Sequence, residues 1–251
     1  MISSVNNKII KEYSKLKERK YRKTSKYFLV ETYHLVEEAY KAGRLKEVFV
    51  LTDGIYSIDV NITVVSLDVM KKLSSTNTPP NIIGVVEKKS SNEIIGNKIL
   101  LIDRVQDPGN LGSIIRSSCA FNVDTIVISE DSVDLYNPKV IRSAEGMMFQ
   151  INIVTKDLIK VIKQLKEKDF IIYGTDVIDG INPRRLDKEA KSKYAIVMGN
   201  EGNGLSYDVY DACDKFLYIP MNEKTESLNV GVAASIILYE MSCLDEYSIY
   251  R

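Results

Sequence analysis

Residues 99–116, ILLIDRVQDPGNLGSIIR, place a short apolar strand directly before a Pro-Gly turn and the start of a helix. Four more apolar strands follow along the chain: TIVIS (125–129), FIIYG (170–174), YAIVMG (194–199) and FLYIP (216–220). Near-continuous apolar strands are typical of a parallel sheet that helices cover on both faces. The apolar, alanine-rich stretch 229–239 predicts a helix that packs closely on this sheet.

The first ninety residues predict a smaller α/β unit that precedes the parallel sheet. Apolar spacing predicts helices at 6–16 and in a stretch that closes at Gly43, and strands at 27–30, 48–51 and 82–86. The polar stretch EKKSSNEIIGNK, 87–98, predicts the linker between the two parts. We therefore expect two α/β domains, residues 1–92 and 93–251.

Composition and cysteine usage exclude several classes of protein. No apolar run approaches the roughly 18–20 residues of a membrane helix, and the N-terminus lacks the apolar stretch of a secretory signal, so we expect a cytoplasmic protein. Cys119, Cys213 and Cys243 are far apart and form no C-x-x-C pair, which argues against disulfides and zinc. His34 is the only histidine, so a Ser-His-Asp triad or a histidine-rich metal site is not expected.

Charge is distributed unevenly along a chain that is neutral overall, with 34 basic and 34 acidic residues. Residues 8–26 hold nine Lys or Arg against two Glu, an excess of seven, so the remainder carries minus seven. Such a segment suits a phosphate backbone or forms a solvated helix face. Tyr13, Tyr21 and Tyr27, interleaved with it, stack on unpaired bases or belong to the core. The candidate RNA-binding residues here are Arg19, Lys20, Arg22 and Lys23.

Three polar loops follow apolar strands, where ligands bind in parallel α/β sheets. The first, 103–116, contains the Pro-Gly turn, and Asn110 and Gly112 open the helix that contains Arg116. Asn110 and Arg116 are six residues apart. They share a helix face only if the helix begins beyond Asn110.

The second loop, VMGNEGNGL at 197–205, has Gly199, Gly202 and Gly204 around Glu201. Glycines let the backbone approach a ligand closely. Their order differs from the G-x-G-x-x-G dinucleotide fingerprint, which argues against a Rossmann-type dehydrogenase. An acidic residue in the loop favours a cationic or neutral ligand over phosphate.

The third loop, within 219–235, delivers Ser227 and Asn229 to the start of the alanine-rich helix. Either side chain is suited to cap that helix, so this loop alone does not distinguish a site from a cap.

Taken together and in this order, the three loops resemble the SpoU-type RNA 2′-O-ribose methyltransferases of the SPOUT superfamily. The resemblance spans nearly the whole chain, because the start is similar to the family's substrate-binding domain, a fold like that of ribosomal protein L30e. It rests on Asn110-x-Gly112-x-x-x-Arg116, on Gly199-x-Glu201-Gly202-x-Gly204, on Ile219-Pro220-Met221 with Ser227-Leu228-Asn229, and on the N-terminal segments 7–11, 17–22, 28–31 and 78–79 with the run 82–86.

The resemblance implies a C-terminal parallel-sheet domain with a deep trefoil knot, a rare exception to unknotted connectivity. It also implies a homodimer in which residues of the first motif complete a site across the interface. S-adenosylmethionine would bind in the knot through backbone groups, with no metal required. The implied cofactor-binding residues are Gly199, Asn200, Gly202, Ile219, Met221 and Leu228.

The resemblance implies that the catalytic residues of this chain are Asn110, Arg116, Glu201, Ser227 and Asn229. A guanidinium stays protonated above a pKa of about 12, so Arg116 stabilises the developing alkoxide and holds phosphate more readily than it acts as a base. Glu201 orients either Arg116 or the motif loops. Asn229 binds within the site or caps the last helix.

The resemblance leaves the RNA target open. Ribosomal RNA is expected first and transfer RNA second, and a catalytically inactive RNA-binding protein on the same scaffold is the alternative. Family members often have glycine where Thr32 stands, serine where Ala144 stands, and no acid at Glu145. The difference at Thr32 is expected to alter a turn without affecting the chemistry. Because the segment that begins at Arg142 is implied to contact RNA, the differences at Ala144 and Glu145 concern target recognition.

Overall fold

The computed structural model describes residues 1–52, 58–89 and 92–242 of the chain. The chain divides into two compact units, a first unit of Met1–Ser90 with Asp134–Gln150 and a second unit of Ser91–Val133 with Ile151–Arg251. Residues 90 and 91 of the expected linker, and Cys243, lie outside the described residues.

The helices and strands alternate along most of the chain. The helices are α1 (Lys8–Ser14), α2 (Arg19–Thr24), α3 (Tyr33–Lys41), α4 (Leu67–Leu73), α5 (Pro108–Ala120), α6 (Pro138–Ser143), α7 (Leu158–Lys166), α8 (Tyr207–Asp211) and α9 (Val230–Met241). The strands are β1 (Tyr27–Glu31), β2 (Leu45–Val50), β3 (Asn61–Val64), β4 (Ile82–Glu87), β5 (Lys98–Ile102), β6 (Thr125–Ile128), β7 (Asn152–Thr155), β8 (Ile171–Asp176), β9 (Tyr194–Met198) and β10 (Lys215–Tyr218).

The first unit is built on a four-stranded mixed sheet in the order β1-β4-β2-β3. β4 pairs antiparallel with β1 and β2, and β2 pairs parallel with β3. One face buries a core that includes Ile10, Phe49, Val69 and Ile83. Helices α1 and α4 cover this face, because the spacing of their apolar residues directs the buried side chains toward it.

Residues 134–150 pack within the first unit although they follow β6 of the second. Arg22 Nε lies 2.7 Å from Asp134 Oδ2, and the ring of Phe28 lies 4.7 Å from Tyr136 and 6.4 Å from Phe149. The first unit is therefore discontinuous in sequence. The expected division at residues 92 and 93 did not anticipate this return of the chain.

The second unit is a six-stranded, all-parallel sheet in the order β10-β8-β9-β5-β6-β7. Its central strands β5, β6 and β9 are buried except at Lys98, as their continuous apolar sequences predict. β7 was not predicted, because its four residues, NIVT, begin and end with polar side chains. The predicted α/β class with a parallel sheet is confirmed.

α5 and α9 pack together and both begin at the same edge of the second unit's sheet. Ser117 Oγ and Ser235 Oγ lie 2.7 Å apart across the contact. A Cβ added at Gly231 would lie 3.4 Å from Ser113 Cβ. Small residues thus allow the close helix packing that the alanine-rich sequence predicts.

No helix among residues 1–52, 58–89 and 92–242 combines the length and apolar character needed to cross a membrane.

Candidate active site

A cavity of about 380 Å³ lies at the carboxyl ends of β8, β9 and β10. This is the edge at which parallel α/β sheets bind ligands. All six residues expected to bind the cofactor line it, as do Glu201 and Ser227; Asn110, Arg116 and Asn229 do not. The lining comprises Thr175, Asp176, Val177, Met198, Gly199, Asn200, Glu201, Gly202, Asn203, Gly204, Leu217, Ile219, Met221, Ser227, Leu228, Val230, Ala233 and Ile237.

The glycine loop after β9 closes on itself by a pair of backbone hydrogen bonds. Asn200 N–H donates to Gly204 O at 2.8 Å, and Gly204 N–H donates to Asn200 O at 3.0 Å. A Cβ added at Gly199 would lie 2.5 Å from the carbonyl carbon of Gly204, whereas a Cβ at Gly202 would meet nothing nearer than 3.8 Å. Gly199 is therefore required by the closure of the loop, independently of any ligand.

Glu201 joins the second motif loop to the first. Its Oε1 accepts from Asp107 N–H at 3.0 Å and from Asn110 Nδ2 at 2.9 Å, and its Oε2 accepts from Gln106 N–H at 3.1 Å and Asn200 Nδ2 at 3.4 Å. The expected alternative that Glu201 orients the motif loops matches this geometry. None of its hydrogen bonds or ion pairs among the described residues involves Arg116.

The same donors keep Glu201 ionised. Burial raises the pKa of its carboxyl, but the hydrogen bonds from Asn110 and from the backbone of Asp107 and Gln106 outweigh burial and hold the pKa below its ordinary value. The loop therefore presents a carboxylate at neutral pH.

Asn110 and Asn229 bring the third motif into this network. Asn229 Nδ2 donates to Asn110 Oδ1 at 2.9 Å, while Asn229 Oδ1 accepts from the N–H groups of Gly231 and Val232 at 3.0 and 3.3 Å. Asn229 thus caps α9 and also binds within the site, so both expected alternatives hold together. Asp107 caps α5 in the same way, through Gly109 and Asn110.

Arg116 lies apart from this network. Because α5 begins at Pro108, Asn110 and Arg116 are both helical, and six residues at 3.6 per turn leave them about 120° apart around the helix. The two residues would share a helix face only if the helix began beyond Asn110, and α5 begins before it. Arg116 is exposed and forms no hydrogen bond or ion pair with any described residue.

Ser227 is exposed at the cavity and has no hydrogen-bond partner among the described residues. It does not cap α9, because Asn229 does. Its hydroxyl is therefore available to a ligand.

The lining fits S-adenosylmethionine in size and charge. Apolar walls suit an adenosine group, the volume lies within the range of about 300–1,000 Å³ for small-molecule sites, and the lining contains two carboxylates and no Lys or Arg. A sulfonium carries positive charge, so this charge balance favours it.

Asp176 is the lining carboxylate that sequence reasoning missed. Its Oδ1 accepts from Ile178 N–H at 2.9 Å, and its Oδ2 accepts from Tyr210 Oη at 3.3 Å. The signal was present, because Thr175 and Asp176 directly follow the apolar run of a predicted strand. Among the described residues, no group of three or more His, Cys, Asp or Glu is placed to hold a metal ion.

The basic residues expected to bind RNA separate into exposed and buried groups within the first unit. Arg19, Lys20 and Lys23 are exposed. Arg22 is 3% exposed, and its guanidinium binds Asp134 and donates to Leu16 O at 2.9 Å. Arg22 is therefore unavailable to RNA and stabilises the unit instead.

The tyrosines of this segment divide in the same way. Tyr13 is buried in the core and donates to Glu47, whereas Tyr21 and Tyr27 are half-buried. Lysine ammonium groups lie over the faces of both, with Lys20 4.7 Å from the Tyr21 centroid and Lys46 4.2 Å from that of Tyr27.

The differences from the family pattern fall at positions with unusual backbone or burial. Thr32 has a φ of +102° and Glu145 a φ of +48°, both in the region that favours glycine. Ala144 is fully buried at the end of α6. Arg142 Nη1 donates to Ser75 Oγ at 2.8 Å.

Comparison with known proteins identifies the class. Residues 97–239 match the SpoU rRNA Methylase family, and residues 7–84 match the MRM3-like substrate binding domain. The chain therefore belongs to the SpoU rRNA methylase family.

One relative and two solved structures align over nearly the full length. The chain is 35% identical over 245 residues to the 23S rRNA (guanosine(2553)-2′-O)-methyltransferase RlmP of Bacillus subtilis (strain 168), covering 96% of this chain and 98% of that protein. The SpoU methyltransferase AviRb from Streptomyces viridochromogenes, in complex with the cofactor AdoMet, has a TM-score of 0.85 at 25% identity, covering 94% and 97%. A crystal structure of an RNA 2′-O ribose methyltransferase has a TM-score of 0.80 at 29% identity, covering 96% and 97%.

These matches confirm the predicted family and fold class. They also confirm, at the level of the family, the predicted enzyme class, an RNA 2′-O-methyltransferase, and its cofactor S-adenosylmethionine. The Rossmann-type dehydrogenase is set aside. The roles of individual residues stay predictions.

Proposed function

We propose that this chain methylates a ribose 2′-hydroxyl of 23S ribosomal RNA. The observation that carries the proposal is the hydrogen-bonded joining of three motif loops beside the cavity, in a chain that aligns end to end with a 23S rRNA methyltransferase. A degenerate RNA-binding scaffold would have no need to keep this network intact. A cytoplasmic location stays a prediction.

The cavity would hold S-adenosylmethionine, which supplies a methyl group already activated by the positive sulfonium. The chain's contribution is then alignment, worth on the order of 7–11 kcal/mol in favourable cases. Gly199, Ile219 and Leu228 line the cavity and would contact the cofactor. Glu201, Asn110 and Asn229 act as positioning residues, because their side chains hold the loops to one another.

Ser227 and Arg116 are the groups left to act on the RNA. Ser227 lines the cavity, and its hydroxyl has no hydrogen-bond partner in the part of the chain that the structure describes, so it would position the ribose or the cofactor. The Arg116 guanidinium, exposed and unpaired among the described residues, would stabilise the developing alkoxide and hold the adjacent phosphate.

The exposed surface of α9 supports the proposal of a homodimer. α9 exposes Val232, Ile236 and Tyr239, apolar side chains along one face of a helix that packs on α5. A second copy would cover this face, and Arg116 would then complete the partner's site. The trefoil knot, which the family resemblance implies for the second unit, is part of the same proposal.

The test is methyl transfer from labelled S-adenosylmethionine to purified ribosomal RNA and transfer RNA, together with mapping of 2′-O-methyl sites in cells with and without the gene. We expect label in 23S rRNA and one site lost in the deletion strain. Label in transfer RNA alone would replace the proposed substrate. Cofactor binding without transfer to any RNA would favour the inactive scaffold.

A further inference from the structure

Three segments of the first unit meet at one corner of its surface: residues 31–34 at the end of β1, residues 74–76 after α4, and residues 142–146 at the end of α6. Hydrogen bonds link all three segments to one another. None of these residues takes part in the cavity network of the second unit.

A buried carboxylate organises the corner. Glu31 is 5% exposed, and its Oε1 accepts from both the N–H and the hydroxyl of Ser75 at 2.7 and 2.6 Å. Its Oε2 accepts from the hydroxyls of Ser74 at 2.7 Å and Thr76 at 3.3 Å. The three short hydrogen bonds from Ser74 and Ser75 satisfy the buried carboxylate and fix residues 74–76 in place.

Arg142 and His34 attach the third segment. Arg142 Nη1 donates to Ser75 Oγ at 2.8 Å, so the chain of contacts from Glu31 through Ser75 sets the position of the guanidinium. His34 Nε2 lies 3.2 Å from Glu145 O. The guanidinium is not buried, and among the described residues it has no carboxylate partner.

Tyr33 is the exposed aromatic residue of the same corner. It is 53% exposed at the first position of α3, directly after Thr32, whose φ of +102° is strained for a β-branched residue. The backbone thus turns sharply after the buried Glu31 and exposes the Tyr33 ring, which contacts no other aromatic ring and no cation among the described residues. An exposed aromatic ring on one of three hydrogen-bonded segments, with an oriented arginine on another, matches the needs of an unpaired nucleotide, which offers a base to stack and a phosphate to bind.

We propose that this corner binds an unpaired nucleotide of the RNA substrate, with Tyr33 stacking on the base and Arg142 holding the phosphate. The inference rests on the proposed RNA substrate. Ser75 and Glu31 are positioning residues that fix Arg142. A single-stranded nucleotide is favoured over a duplex, because a stacked ring needs a base face that is not covered by neighbours.

The test measures binding of the full-length protein to a fluorescent unstructured RNA oligonucleotide and to a duplex of the same length. Tyr33→Ala should weaken single-strand binding roughly 5- to 100-fold, the loss of one base–aromatic stack. Tyr33→Phe should retain binding, because it keeps the ring. Affinity for the duplex should hardly change with either variant.

Arg142→Gln should weaken binding and lower the salt slope of single-strand binding by about 0.7, the value of one phosphate contact. Lys41→Gln is the matched control, since it removes one charge from α3 where Lys41 already pairs with Glu37 and Glu38. Thermal denaturation followed by circular dichroism checks that each variant is folded, because the substitutions lie in the first unit and the cofactor cavity in the second.

Three results would overturn the inference. Tyr33→Ala could bind single strands like the wild type, or lose single-strand and duplex binding equally. Alternatively, both variants could bind naked RNA normally but lose affinity for ribosomal particles, which would make the corner a protein-docking surface. In each case methyl transfer by the wild type would leave the proposed function standing, whereas a wild type that transfers no methyl group would contradict that function itself.

Discussion

Asn229 donates a 2.9 Å hydrogen bond from its side-chain amide to Asn110 Oδ1, although 119 residues separate the two along the chain. Asn110 in turn donates from its side-chain Nδ2 to Glu201 Oε1 at 2.9 Å. Three loops that look like separate sites in the sequence therefore form one network. Its hydrogen bonds hold the loops together without a ligand, an arrangement suited to catalysis by alignment.

Glu201→Gln tests this network. Glutamine has one acceptor oxygen where the carboxylate has two, so its amide group would face donors from Asn110 or the backbone of Gln106. We expect the free energy of unfolding to fall by about 1–2 kcal/mol and cofactor affinity to fall several-fold. Thermal denaturation and calorimetry measure both, and an unchanged pair of values would show that the network does not position the loops.

The pH dependence of stability gives a second test of Glu201. Its pKa is lowered in the folded state, so its contribution to stability is present above the ordinary pKa of about 4.3 and is lost as pH falls through the lower folded value. The difference in Tm between the wild type and Glu201→Gln should therefore shrink as pH drops below about 4. A difference that stays constant or grows in acid would contradict the lowered pKa.

Gly199 and Gly202 form a matched pair for the glycine loop. Gly199→Ala places a Cβ 2.5 Å from the Gly204 backbone, which has little room to shift, so cofactor affinity should fall more than tenfold and Tm should drop. Gly202→Ala meets nothing nearer than 3.8 Å and should preserve Tm. Equal effects of the two substitutions on Tm would mean that closure between Gly199 and Gly204 does not set the loop shape.

Patterns of local sequence predicted the parts of the fold that depend on a single strand or loop. Five of the second unit's strands and all three motif loops follow from apolar runs that end in polar turns. β7 did not, because two polar ends leave too short an apolar run. Arg22 was expected to bind RNA on local charge alone; its burial depends on Asp134, 112 residues away, which no local pattern reveals.

At Thr32 the chain differs from the family pattern, which often has glycine, and the structure gives the physical consequence of this difference. A β-branched residue at a φ of +102° lowers the stability of the folded state by roughly 1–3 kcal/mol. The Thr32 hydroxyl offsets part of this strain, because it accepts a long hydrogen bond of 3.4 Å from Leu35 N–H. Thr32→Gly relieves the strain but adds chain entropy, so the free energy of unfolding should rise by about 1 kcal/mol. Thr32→Ala keeps the strain and loses the cap, and should be less stable than the wild type in the same urea titration. Stability below the wild type for Thr32→Gly would show that the cap outweighs the strain.

Arg116→Ala separates chemistry from cofactor binding. Arg116 does not line the cavity and is unpaired among the described residues, so S-adenosylmethionine affinity should stay within a few-fold. Loss of a transition-state contact of roughly 3–4 kcal/mol would lower the methylation rate by about 10²–10³. Arg116→Lys keeps the charge and loses the planar fork, so recovery of the rate would favour simple electrostatics and continued inactivity would favour fork geometry. A normal rate for Arg116→Ala at saturating RNA would remove the residue from the mechanism.

If the proposed homodimer forms, mixed dimers decide whether Arg116 acts within its own subunit or in the partner's site. Arg116→Ala keeps an intact cavity, and Gly199→Ala keeps an intact arginine, so each variant alone should be nearly inactive. If the arginine completes the partner's site, subunit exchange between the two variants unites one intact cavity with one intact Arg116, and activity returns. If Arg116 serves its own cavity, every site in the mixed dimer carries one defect, and activity stays at the level of the separate variants. The geometry of α5 favours the first outcome, because the helix turns Arg116 about 120° away from Asn110, the residue of the same motif that joins the cavity network.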